Sequence, residues 1–207
     1  MTRIAGLLVM LGASAACGSD TAPADMTFFV TSATVAEGGN LGGLAGADAH
    51  CQRLAEAASA RGRTWRAYLS VAEEAGATAV HARDRIGNGP WVNVRGAAIA
   101  ASNADLHGES NGLRRRTALT ERGDPVPHDI LTGSNADGML AAGDLTCRNW
   151  TSTSGRAMLG HADREGACCE GRERSWNSAH ASDGCDLPSL RATGGVGLFY
   201  CCALSAP

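Results

Sequence analysis

Five side chains late in the chain carry donors of the kind that hold zinc tetrahedrally: His161, Cys168, Cys169, His180 and Cys185. Their spacing matches no compact zinc motif, and the thiols have a competing use. Eight cysteines in 207 residues are many for a cytosolic protein and point to an oxidising compartment. Disulfides are therefore expected at these positions, and no metal or cofactor is assigned. A second pattern, Gly108, Glu109, Ser110, Asn111, Gly112, spells the G-x-S-x-G of a hydrolase nucleophile elbow. That motif works only with a buried strand before it and a helix after it, holding the serine strained at a sheet edge. Here polar SNADLH precedes and LRRRT follows, so Ser110 is expected to be an ordinary turn residue. The third candidate is the triplet Arg114, Arg115 and Arg116, whose guanidinium groups suit sulfate or carboxylate. Its plainer reading is a solvated loop face.

Composition removes whole classes of function. The net charge is only -3, which offers nucleic acid no strong field. All 18 basic residues are arginine, and with no lysine the chain has no Schiff-base chemistry of its own. Arg3 followed by the apolar run Ile4 to Ala13 reads as an export signal, too short to span a bilayer. Residues 1–16 are expected to be removed. Two processing routes remain open: Ser14 to Cys17 acting as a lipobox, with Cys17 acylated and 17–25 as a tether, or ordinary cleavage that leaves a soluble protein. On either route the protein is expected to be exported, and a membrane attachment is expected only on the first, through the lipid at Cys17.

The elements that must position the candidates are most legible between Gly38 and Ser70. Ala47, Cys51, Leu54, Ala55 and Ala58 recur at helical spacing, with Asp48 expected in the first turn and Arg61 and Gly62 marking the end. The period then changes to two: Trp65, Ala67 and Leu69 alternate with Arg66, Tyr68 and Ser70, a half-buried strand. Strands are also expected at 26–31, pairing near the C-terminus, and at 91–94, 128–132, 156–159 and 196–203, with a weak helix at 73–82. Residues 102–123 and 161–194 read as long irregular loops. Cys201 and Cys202 are adjacent in the last strand and must face opposite sides of the sheet.

The order GG, LxGLxGAD, one helical cysteine and TWRAYLS, followed by GPWVNVRG (89–96), ILTGSNADG (130–138), CRNWTS (147–152) and GLFYC (197–201), resembles the endostatin domain of collagens and its bacterial relatives. These are members of the C-type lectin-like fold, and the resemblance covers 26–207. It implies an α+β domain: one main helix packed on a twisted antiparallel sheet, with long irregular loops and disulfide staples. It also implies bridges Cys51 to Cys201 and Cys147 to Cys185. Cys202 is then expected to pair with Cys168 or Cys169, leaving one thiol over. Endostatins bind zinc through N-terminal histidines and an aspartate; Asp84 lies near that aspartate's place, but no histidine precedes His50, so the site is not carried over. Sugar-binding lectins of this fold hold calcium through a Trp-Asn-Asp, which Trp176, Asn177, Ser178 resembles without the aspartate that supplies a hard ligand.

The expectation is one exported, non-catalytic recognition domain at the cell envelope. Its ligand is a glycan or an envelope partner held by loops within 102–194 without calcium, with Trp176, Asn177, His180 and Arg114 to Arg116 as candidate contacts. Two alternatives are an oxidase resembling the formylglycine-generating family, acting through Cys168 and Cys169, and a purely structural envelope protein.

Overall fold

Residues 195–203 place large side chains on both sides of one strand, so that strand has to be covered on both faces. In the computed structural model, which describes residues 26–74, 76–164 and 174–204, it is β8 (Gly195–Ala203) and runs through the middle of the molecule. β1 (Phe28–Val30) and β2 (Trp65–Ala67) flank its second half antiparallel, both opposite Cys201, through Phe29 and Ala67. β5 (Asp129–Leu131) runs parallel to its first half, and β6 (Met158–His161) and β7 (His180–Ala181) extend the sheet antiparallel beyond β5. The order is β1-β8-β5-β6-β7, with β2 joined to β8. β3 (Trp91–Val92) and β4 (Ala98–Ala100) form a separate hairpin.

The alternation of β8 divides the interior into two cores. Phe199, Cys201 and Ala203 face the first, with Phe29, Trp65, Leu131, Leu159 and the Ala47, Cys51 and Ala55 stripe of α1 (Gly43–Ala57). Leu198, Tyr200 and Cys202 face the second, with Phe28, Tyr68, Trp91, Ile99 and Trp176. Both expected bridges are present: Cys51 to Cys201 ties α1 to β8, and Cys147 to Cys185 ties α4 (Cys147–Trp150) to the segment before α5 (Leu187–Ala192).

Several expectations are corrected. α1 starts at Gly43, so Asp48 lies beyond the first turn and binds Arg66 and Arg85 instead of meeting the helix dipole. Its end comes before Arg61 and Gly62. Ser59, at φ 65°, takes the left-handed position, while Ser59 N donates to Glu56 O and Ala60 N to Ala55 O in a Schellman closure. The β2 strand is not half-buried along its length, because Tyr68 and Ser70 are as buried as Leu69. Among the described residues of 73–82 only Ala82 is helical, as the first residue of the short α2 (Ala82–Arg85); Val71 and Val80 pair across a tight excursion before it. Residues 102–123 are not a surface loop throughout: α3 (Asn103–Leu106) lies there, and Leu106, Leu113 and Ala118 enter the second core. Within 161–194, β7 and α5 replace irregular chain, α5 being capped by the Asp186 side chain accepting from Ser189 N.

Among the described residues Cys202 has no disulfide partner and is fully buried in the second core; Cys168 and Cys169, its expected partners, lie outside the described residues. The expected export signal and the expected tether with Cys17 lie outside them as well. Among the described residues no helix is long and apolar enough to cross a membrane.

Candidate functional site

The second core opens to solvent at one end as a cleft of about 660 Å³, walled by His107, Glu109, Arg114, Arg164, Trp176 and Asn177 among others. α3 and the turn after it bring in His107 and Glu109, and β6 leads into Arg164. His107 Nδ1 donates to the Asn103 carbonyl, leaving Nε2 to accept from Tyr68 OH at 2.8 Å. Tyr68 OH in turn accepts from Asn177 Nδ2 at 2.8 Å, and Asn177 also donates to the Asn135 carbonyl. Burial holds the His107 pKa below the ordinary histidine value and raises that of Tyr68, so both are neutral. Trp176 packs 4.7 Å from Tyr68 and 5.3 Å from Tyr200, ring centre to ring centre. The floor of the cleft is a closed network of satisfied groups, suited to holding shape rather than moving protons.

The walls are different. Arg114 Nη1 donates to the Asn111 carbonyl and Arg164 Nη1 to Asn111 Oδ1, both near 3 Å, so one asparagine anchors two guanidiniums beside one cleft. Partial burial, with Arg114 close by, lowers the Arg164 pKa; Glu109 opposes the shift. Two cations in each other's field favour an anionic ligand between them.

A second cluster lies where β5, β6 and β7 meet. Asp129 stands opposite His161 in register, and the Nε2 atoms of His161, His180 and His128 lie 3.4, 3.6 and 3.9 Å from Asp129 Oδ1. The donor atoms of His128, Asp129 and His161 all lie within 4.8 Å of one another. Gly195, beside Asp129 on β8, leaves the space: a Cβ there would stand 3.0 Å from that of Asp129. His161 and His180 bracket the stretch that supplies Arg164 and Trp176 to the cleft.

The expected site residues thus separate. Arg114 and Asn177 reach the cleft, although Asn177 is consumed as a brace. Trp176 is 3% exposed, a packed anchor rather than an open platform for a sugar. Arg115 is 68% exposed and 3.5 Å from Asp163, and Arg116 is exposed. His180 joins the histidine cluster with His161; Cys185 does not, being bonded to Cys147. Ser110 sits in an exposed turn after α3, with no strand before it. His107, Arg164, His128 and Asp129 were missed. The pairs His128-Asp129 and His161-x-Asp163-Arg164 were the available signal, since both put imidazole next to carboxylate within a strand end.

A family model described as a protein of unknown function (DUF1554) matches residues 34–167, a span that takes in α1, both cleft arginines and the His128 to Asp163 part of the cluster. No curated protein matches the chain.

Proposed function

The chain belongs to the DUF1554 family of proteins of unknown function, and we propose that it is a non-catalytic recognition module of endostatin-like, C-type lectin-like fold that holds an acidic glycan in the Arg114 and Arg164 cleft. It acts outside the cytoplasm, at the cell envelope or beyond it. The observation that carries the reading is the pair of guanidiniums anchored on Asn111 in one cleft. Guanidinium is the group of choice for carboxylate and sulfate, the charged groups of acidic polysaccharides. The two disulfides and the leader-like residues 1–16 favour an oxidising compartment. A non-catalytic role is favoured by the neutral, fully bonded floor and by Cys202, whose thiol pKa burial raises and which therefore carries no reactive thiolate.

Calorimetric titration against uronate-bearing, sulfated and neutral oligosaccharides tests this. Binding is expected for the charged set and to weaken with salt. Arg164→Gln and Arg114→Gln should each weaken it about tenfold or more, the worth of one charge-assisted hydrogen bond, and Glu109→Gln should strengthen it. Equal affinity for neutral and charged sugars, or indifference to both arginine substitutions, would defeat the proposal.

A further inference from the structure

The Asp129 side chain is 0% exposed, and neither of its carboxylate oxygens has a hydrogen-bond partner. A buried carboxylate left in that state is costly unless a cation offsets it. The histidines do not act as hydrogen-bond donors to it, because 3.4 to 3.9 Å is too long. Those separations are instead close to the roughly 3.3 Å between neighbouring ligand atoms on a tetrahedron with bonds of about 2.0–2.1 Å.

The His128 ring is also set for ligation. His128 Nδ1 meets Asp163 Oδ1 at 2.8 Å. The carboxylate is an acceptor, so the ring carries its hydrogen on Nδ1 and, when neutral, presents the Nε2 lone pair on the side of Asp129. Lone pairs facing a carboxylate repel unless a positive charge sits between them. A carboxylate or carbonyl on the far nitrogen is also the usual support of a metal-bound imidazole.

We propose that His128, Asp129 and His161 form a binding site for one zinc-class divalent cation, with Asp163 orienting His128 and with His180 at its edge. Imidazole and carboxylate donors suit zinc, and three of them leave the fourth position of its tetrahedron to water or a ligand. The ion bridges β5 and β6. Asp84, on α2, takes no part in the cluster.

The test uses the full exported chain with its disulfides intact and its accessible thiols alkylated, so that cysteine cannot contribute. After loading with zinc and dialysis, metal analysis should find about one zinc per chain, and the protein should melt at a higher temperature with zinc than without. Cobalt substitution should give the visible absorption of a tetrahedral ion with no thiolate charge-transfer band. Asp163→Asn should weaken zinc about 10–100-fold, and Asp129→Asn and His128→Ala at least tenfold. His128 is 28% exposed and precedes β5, so its substitution reads the site even if the Asp129 variant fails to fold. No retained zinc, or zinc retained equally by wild type and His128→Ala, overturns the proposal.

Discussion

Cys51, midway along α1, is bonded to Cys201 in β8, and the bond closes a span of 150 residues. β1 and β2 both pair with β8 opposite that same Cys201, so the bond pins the helix to the sheet where three strands meet. In the chain-entropy model a loop of this length contributes about 5 kcal/mol, against about 4 kcal/mol for the shorter Cys147 to Cys185 loop. The double variant Cys51→Ala with Cys201→Ala is therefore expected to be the less stable of the two bridge deletions. Guanidinium unfolding of both deletions checks the order.

Asp48 holds two arginines unequally. Arg85 Nη2 and Arg66 Nη1 both reach Asp48 Oδ2 at 2.7 Å, but the Arg85 side chain is 11% exposed and that of Arg66 43%. Asp48 also accepts from Ala67 N at 2.9 Å. Asp48→Asn strands the buried guanidinium, for which about 3–5 kcal/mol is expected. Arg66→Gln removes a solvent-screened partner and should cost less than about 1 kcal/mol. Denaturation midpoints of the two variants separate the cases; equal losses would show that Arg85 is not what Asp48 serves.

How much of this could be read from the residues depends on whether the information was local. The α1 stripe and the opposed Cys201 and Cys202 were legible because the signal lies within a few residues, whereas the Trp65 alternation held only to Ala67, since Tyr68 and Ser70 are buried against the second core and the chain beyond it. Ser59 in place of a glycine at the helix end was not, since the local Schellman closure from Ser59 N to Glu56 O and Ala60 N to Ala55 O is made here by a residue type that rarely takes a left-handed φ. Leu106 and Leu113 looked like loop residues because polar neighbours hide isolated core contacts. The cleft and the histidine cluster join residues 50 or more positions apart, such as Arg114 with Arg164 and Asp129 with His180, which no periodicity encodes. The α5 start, with Asp186 as cap and Pro188 in the first turn, was readable and was overlooked.

Cys202 lies buried among Phe28, Tyr68 and Tyr200, and burial raises its thiol pKa. Native protein exposed to an alkylating reagent should leave Cys202 unmodified, and labelling should appear only across the unfolding transition. Peptide mapping after timed labelling reports this directly. Rapid labelling of Cys202 under native conditions would show that the second core is open.

Acid should destabilise the fold through two histidines. Burial lowers the pKa of His50 and of His107 below 6.5. Arg53 adds to the His50 shift, while the carbonyl of Ala33 opposes it; around His107, Arg83 adds and Asp137 and Asp84 oppose. Between each folded pKa and about 6.5 the unfolded chain binds more protons, so stability is full above 6.5 and falls as pH drops through that window. Unfolding free energies measured from pH 7.5 down to 5 should fall, and less steeply in His107→Gln than in wild type.

Asn149 combines two roles that substitutions can separate. It sits in a left-handed run with Cys147, Arg148 and Trp150, φ 50–63°, where a non-glycine residue costs about 1–2 kcal/mol. Its side chain repairs the backbone of Ala72 from 77 positions away: Oδ1 accepts from Ala72 N at 2.7 Å and Nδ2 donates to Ala72 O at 3.2 Å. Asn149→Ala loses those bonds and keeps the strain, so a loss of about 2–4 kcal/mol is expected from two orphaned backbone groups. Asn149→Gly loses the same bonds but relieves the backbone, and should recover about 1 kcal/mol relative to alanine. Equal stability of the two variants would show that the left-handed turn is not strained at this position. Wild-type stability in both would show that water replaces the side chain at Ala72 without loss.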